Sequence, residues 1–166
     1  GVGALEDISI RRAGITGQVC PKMDSCRVAV FAADNGVVDE GVSCAPRSVT
    51  LQQAINMTRR RTGMSAMAAA FGDDVAVVDV GIAADVPGVG ILDRKVRRGT
   101  GNIAVEDAMT RPEALAAMAA GMEQAARARA DSITALGIGE MGIGNTSTSA
   151  AVLSALTGAD IEAVTG

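Results

Sequence analysis

The chain has 166 residues, 15 basic against 19 acidic for a net charge of −4, with two Phe and no His, Tyr or Trp. Such a composition offers neither a basic patch nor a stacking platform, which excludes nucleic acid as the main partner. No apolar run approaches the ~18 residues of a membrane span and no secretory signal is visible, so no membrane partner and a cytoplasmic location are expected.

Without His, the usual general base and the commonest metal ligand are missing, and acid–base chemistry falls to Asp, Glu, Lys or Cys. Cys20, Cys26 and Cys44 match no zinc or redox spacing and are expected to stay reduced. The chain opens at Gly1 rather than Met and stops at Gly166 just after a helix-like pattern. Both ends read as cuts through a longer protein.

In chain order, the first apolar run is Arg27–Ala33 (RVAVFAA), a short segment bounded by Asp that reads as a buried parallel strand. A helical pattern follows from about Val49 to Phe71, with Ser48 as its N-cap. Arg59, Arg60 and Arg61 in its middle read as a solvated face, or as cations near a phosphate site. Val75–Val80 (VAVVDV) is the second strand. Gly81 to Met109 has no clear period and reads as a long irregular stretch. Thr110 and Glu113 then form a capping box, and Leu115, Met118, Met122 and Ala125 follow on one helix face as expected core filler. Ile133–Leu136 is the third strand. The last helix runs from near Asn145 to about Thr157, with Gly158 closing it. Alternation of this kind predicts an α/β fold with a parallel sheet and right-handed crossovers.

Ligands of open parallel sheets sit beyond the carboxyl ends of the strands. Asp34, Asp79 and Glu140 fall at or near such ends and predict an acidic crevice able to hold hydroxyls or a developing positive charge. Asp34 and Asp79 equally suit turn and helix caps. After the third strand, Gly137, Gly139, Gly142 and Gly144 strip the loop of side chains before Asn145 and Thr146 open a helix. Free helix-start N–H groups, with hydroxyls at Thr146, Ser147 and Thr148, predict a phosphate cradle, and Glu140 beside it suits a ribose diol. Gly137-x-Gly139-x-x-Gly142 also has the spacing of a dinucleotide fingerprint, with Asp160 as its ribose-binding acid. A nicotinamide-dependent oxidoreductase is therefore an alternative, as is a non-catalytic partner subunit. No Gly-Lys-Ser/Thr occurs, so the P-loop is excluded.

Taken together, Gly3-Ala4-Leu5-Glu6, Gly14-Ile15-Thr16-Gly17, Phe31-Ala32-Ala33-Asp34-Asn35-Gly36-Val37, Gly41-Val42-Ser43, Ser48-Val49-Thr50-Leu51-Gln52, Val77-Val78-Asp79-Val80-Gly81, Gly99-Thr100-Gly101-Asn102 and Gly139-Glu140-Met141-Gly142-Ile143-Gly144-Asn145-Thr146 occur in order over nearly the whole chain. The set resembles the nicotinate-nucleotide–dimethylbenzimidazole phosphoribosyltransferases of cobalamin biosynthesis.

That resemblance implies transfer of 5-phosphoribose from nicotinate mononucleotide to 5,6-dimethylbenzimidazole or a related base, giving α-ribazole 5′-phosphate. It implies a three-layer parallel sheet of Rossmann-like topology (residues 27–166, truncated relative to the family) and a small helical domain to which residues 1–26 contribute. It implies a homodimer that needs no metal and no cofactor. Glu140 inherits ribose and transition-state charge, and Gly142, Gly144, Asn145 and Thr146 inherit nucleotide binding. Ser48, Gln52 and Gln53 lie where the acceptor base is recognised, and Asp34, Asn35 and Asp79 complete the expected substrate-binding set. The family's general base is a Glu of its C-terminal part, which has no counterpart here, so this stretch alone is expected to be inactive. Asn35 replaces a usual His and Ala45 a frequent aromatic, which predicts a roomier, more polar acceptor pocket.

Overall fold

Small and β-branched residues fill Cys26–Ala33 (β1), a composition suited to burial on both faces of a sheet. The computed structural model describes residues 3–88 and 90–165, and among these β1 is central in a four-stranded, all-parallel sheet. Asp74–Gly81 (β2) lies on one side of β1, with Ile91–Asp93 (β3) beyond it. Ala135–Met141 (β4) lies on the other side, giving the order β3-β2-β1-β4. This is the order of the first four strands of a doubly wound sheet. Ala4–Thr16 (α1) precedes the sheet, Val49–Thr58 (α2) and Gly63–Phe71 (α3) join β1 to β2, and Arg111–Ala130 (α4) joins β3 to β4. Asn145–Thr157 (α5) and the short Ile161–Val164 (α6) follow β4. The predicted parallel α/β architecture is the one found.

The core sits between the sheet and α2. Ala32, Val77 and Ile82 pack with Ala54 of α2, and Leu51, Met57, Val75, Ile91 and Met141 close around them. Full burial of a Val or Ile is worth about 1.5–3 kcal/mol, so this side carries much of the apolar stabilisation. Register partners in a parallel sheet share a face, which puts Ala29, Phe31 and Ile138 on the opposite side. There α4 covers the sheet only in part. Ala29, Phe31 and Ile138 line an open cleft of about 420 Å³ with Gly121 and Gln124 of α4, and Ile138 is 80% exposed.

Four expectations are corrected. The single helix over 49–71 is two. Arg60 turns left-handed (φ 58°) and donates to the Asp73 carbonyl at 3.1 Å, while Thr62 and Ser65 form a capping box that starts α3. The Arg tract is thus a helix–helix turn, which apolar periodicity on both sides hides. The third strand begins and ends later than expected, at Ala135 and Met141. Glycine is tolerated there because Val28 and Val30 stand opposite Gly137 and Gly139 and fill the space beside them. Within the irregular stretch, β3 pairs Ile91 and Leu92 with Val77 and Val78, too short a run to show a period. Finally, Leu115, Met118, Met122 and Ala125 do not form core. The first three are 55–73% exposed, and α4 instead buries Ala120, Gln124 and Ala128. Two stripes coexist on this Ala-rich helix, and the pattern alone favours the one with larger side chains. The capping box of α4 is present, with Thr110 accepting from the Glu113 amide and Glu113 from the Thr110 amide.

Candidate active site

Three chain segments converge at the carboxyl end of β1, and glycine lets them touch. A Cβ on Gly142 would lie 2.2 Å from the Ala33 carbonyl, and one on Gly36 would lie 2.5 Å from the Gly101 carbonyl carbon. Asp34 stands at this crossing. Its N–H donates to the Gly81 carbonyl at 3.0 Å and its carbonyl accepts from the Thr100 N–H at 3.0 Å. The residue is 3% exposed, with Oδ2 accepting from the Ala83 N–H at 2.8 Å and Oδ1 buried without a hydrogen-bond partner among the described residues.

The glycine-rich segment is divided between strand and turn. Gly137 and Gly139 belong to the ladder of β4, so the dinucleotide-like spacing does not form a strand-to-helix loop. The turn proper is Gly142-Ile143-Gly144. Gly144 adopts φ 83°, and a Cβ on it would approach Val38 Cγ2 to 2.9 Å. Such a conformation with so close a neighbour favours glycine. Asn145 then opens α5, whose first amides have no intrahelical acceptor. Glu140 is the single acid of β4, and Asn145 Nδ2 donates to its Oε2 in a short hydrogen bond. Glu140, Met141, Gly142, Asn145, Thr148, Ser149, Asn35 and Phe31 surround a cleft of about 260 Å³.

A second cleft, about 310 Å³, opens on the far side of β1, lined by Asp34, Arg47, Ser48, Leu51, Gln52, Ala83 and Ala84. Ser48 precedes α2 without capping it by a side-chain hydrogen bond, so its hydroxyl stays available to this space. Of the two glutamines, Gln52 lines the cleft and Gln53 does not. One residue of helix rotates a side chain by about 100°, which separates them.

The predicted residues therefore fall into two groups rather than one crevice. Glu140, Gly142 and Asn145 share the first cleft with Asn35, and Gly144 holds the turn behind it. Asp34, Ser48 and Gln52 share the second. Thr146 is exposed at the start of α5 outside the first cleft's lining. Asp79 stands apart. It is 1% exposed, its Oδ1 accepts from the Gly81 and Ile82 amides at 3.0 and 2.8 Å, and its Oδ2 pairs with Lys95 Nζ at 2.8 Å. Lys95 also donates to the carbonyl oxygens of Ile82 and Ala84. Asp79 thereby fixes the loop that delivers Ala83 to Asp34. Neither Asn35 nor Ala45 lines the second cleft, and Asn35 lines the first.

Sequence reading missed Lys95, and it held Thr100 and Thr50 only as members of motifs, with no role assigned to either. Thr100 Oγ1 accepts from the Gly36 amide at 3.0 Å, and Thr50 Oγ1 from the Ile143 amide at 3.1 Å. A motif does not say which amide a hydroxyl accepts from, and a lone lysine carries no spacing signal, so only the fold shows these contacts.

A sequence model of the family described as Phosphoribosyltransferase matches residues 1–166. The chain is 46% identical over 165 residues to the nicotinate-nucleotide–dimethylbenzimidazole phosphoribosyltransferase of Geobacter sp. (strain M21), covering 99% of this chain and 47% of that protein. It is 46% identical to the protein of the same name from Clostridium perfringens (strain 13 / Type A), covering 99% of this chain and 46% of that protein. The crystal structure of nicotinate-nucleotide–dimethylbenzimidazole phosphoribosyltransferase from Thermus thermophilus superposes with a TM-score of 0.92 at 45% identity, over 100% of this chain and 51% of that one. The chain thus spans about half the length of the curated relatives it matches. With residues 1–166 matched by the family model and 45–46% identity to these relatives over nearly all of its length, the chain belongs to the nicotinate-nucleotide–dimethylbenzimidazole phosphoribosyltransferase family.

Proposed function

We propose that this chain supplies the donor-binding half of a phosphoribosyltransferase acting on nicotinate mononucleotide and 5,6-dimethylbenzimidazole or a related base. The observation that carries the reading is the cleft in which Glu140 and Asn145 meet beside the Gly142–Gly144 turn, at the carboxyl end of the central strand. The 5′-phosphate lies against the first amides of α5, and the ribose lies over Glu140. The C1′–N bond to nicotinate breaks with its electron pair going to the pyridinium nitrogen, so the leaving group needs no proton. A nitrogen of the acceptor forms the new C1′–N bond from the opposite face, which inverts the anomeric centre. The proton on the acceptor's other nitrogen passes to a general base, which the family resemblance places in the half of the relatives that this chain does not span. Positive charge grows on the ribose as the first bond breaks, and the Glu140 carboxylate, oriented by Asn145, stabilises it. Asp34, Ser48 and Gln52 line the cleft assigned to the acceptor.

The same reading makes residues 1–26, including α1, part of a small helical domain, and makes the enzyme a cytoplasmic homodimer. The test is nicotinate release in an enzyme of relatives' length that carries this segment. Glu140→Gln is expected to lower kcat about 10²–10³-fold, the scale of losing one transition-state electrostatic contact, with a smaller change in KM. Wild-type turnover in Glu140→Gln removes Glu140 from the chemistry. Absence of transfer in the unaltered enzyme with every benzimidazole tried overturns the reading as a whole.

A further inference from the structure

Ile143 is the middle residue of the turn between β4 and α5, and side chains from two other elements hold both of its backbone polar groups. Its N–H donates to Thr50 Oγ1 at 3.1 Å, and its carbonyl accepts from Asn35 Nδ2 at 3.1 Å. Thr50 is fully buried in the first turn of α2, and Asn35 is 9% exposed just beyond β1. Asn35 Oδ1 in turn lies 3.2 Å from the Thr148 hydroxyl of α5. These ties are not needed to close the turn, which the Asn145 amide does on the Gly142 carbonyl at 3.1 Å. Nor does sheet pairing require them, because the β1–β4 ladder ends at Ala32 opposite Met141. A buried hydroxyl needs a partner. That of Thr50 finds one in a distant loop amide rather than in its own helix.

The geometry points to a two-point clamp: Thr50 and Asn35 position the Gly142–Asn145 turn for the donor nucleotide and tie it to the acceptor side. This rests on the donor-binding reading above. Thr50 directly precedes Leu51 and Gln52, which line the second cleft, and Asn35 directly follows Asp34, which lines it too. The two clefts are therefore joined through one residue of backbone, Ile143. Thr50 lines neither cleft and acts only through Ile143, so it is a positioning residue, whereas Asn35 both ties Ile143 and lines the first cleft. Their role is to fix the spacing between the α5 amides and the acceptor-lining helix, the distance that an in-line displacement at C1′ depends on.

The test compares Thr50→Val, which keeps the shape but removes the acceptor, with Thr50→Ser, which keeps the acceptor. Two quantities are read in each: hydrogen–deuterium exchange of peptides spanning 141–148, and nicotinate mononucleotide affinity by calorimetry. In Thr50→Val the exchange is expected to quicken and the affinity to fall, each about tenfold, the scale of leaving one buried amide unpaired. Exchange across 75–81 should stay at the wild-type level, and Thr50→Ser should restore both quantities. If Thr50→Val does not fold, Thr50→Ala serves for both quantities, and Asn35→Ala, which removes the second tie but also alters the first cleft's lining, serves for the exchange measurement alone. Unchanged exchange at 141–148 overturns the clamp. Faster exchange with unchanged affinity overturns its positioning role, as does failure of Thr50→Ser to rescue. If the unaltered protein binds no nucleotide, the donor-binding reading fails, and the positioning role fails with it. The exchange measurement then still decides whether Ile143 is clamped.

Discussion

Gly142 meets the Ala33 carbonyl so closely that a single added carbon has nowhere to go. Gly142→Ala must push β4 away from the end of β1, and with it the turn that carries Ile143 and Gly144. Nicotinate mononucleotide affinity is expected to fall at least about tenfold. Gly137→Ala, where the new carbon meets Val28 side-chain atoms and the Arg27 carbonyl oxygen at 3.4 Å or more, should bind nearly as well as the unaltered chain. Calorimetry on the two variants checks this, and equal affinities would show that the close approach at Ala33 does not shape the site. This contrast bears on what the residues disclose by themselves. Gly137, Gly139, Gly142 and Gly144 look alike in sequence and invite one explanation, a phosphate loop. The fold separates them: the first two make room for Val28 and Val30, and the last two make the turn. Glu140 stands out in sequence as one of three acids at strand ends, and the fold puts it beside Asn145. The contact of Thr50 was not readable, because its motif names no partner for the hydroxyl and a threonine near a helix start looks like ordinary capping chemistry.

At the scale of elements, α4 is fastened to the far edge of the sheet by charge. Arg94, just after β3, donates from Nε and Nη2 to the two carboxylate oxygens of Glu123 at 2.5 and 2.6 Å, and Arg127 adds a contact at 2.7 Å. The Arg94 hydrogen bonds are the main cause holding the Glu123 carboxyl down to about 2, and the charges of Arg94 and Arg127 act in the same direction. A carboxyl lowered on folding stabilises the fold above its ordinary value of 4.5, and that contribution disappears as pH falls from there through about 2. Between pH 4.5 and 2 the unaltered chain should therefore lose more stability than Glu123→Gln, as urea unfolding followed by circular dichroism would report. Because the side chain is 34% exposed, added salt should shrink the difference. Identical pH dependence in the two proteins would count against the pair as an acid-labile tie. The elements themselves were largely readable where cap, strand and hydrophobic signals agreed, as in β1, β2 and α5, while α4 was readable from its capping box but not in its buried face. They were misread where a turn interrupts an apolar pattern without Gly or Pro, as at Arg59–Arg61. Three-residue β3 gave too little pattern to detect.

For the molecule as a whole, the two clefts share one strand end, yet the proposed proton acceptor belongs to neither. The chain alone is accordingly expected to release nicotinate at least about 10²-fold more slowly than an enzyme of relatives' length, the usual scale of losing a general base. Supplying the remaining half of a relative in trans should raise the rate. Full-rate release by the 166-residue chain alone would falsify this division of labour.

The order β3-β2-β1-β4 also has a kinetic consequence. Arg27 reaches Asp74 across 47 residues, whereas Ser25 at the mouth of β1 meets Thr134 across 109. Closing a loop costs about 0.6 kcal/mol of chain entropy for each doubling of its length, and pairings distant in sequence slow folding. The β1–β2 pair and α2 are therefore expected to make the cheaper nucleus, with β4 joining later. On that order the Glu140 strand and the Gly142–Gly144 turn complete the first cleft only after the second has formed, which pulsed hydrogen exchange during refolding would report as later protection of 135–145 than of 74–81.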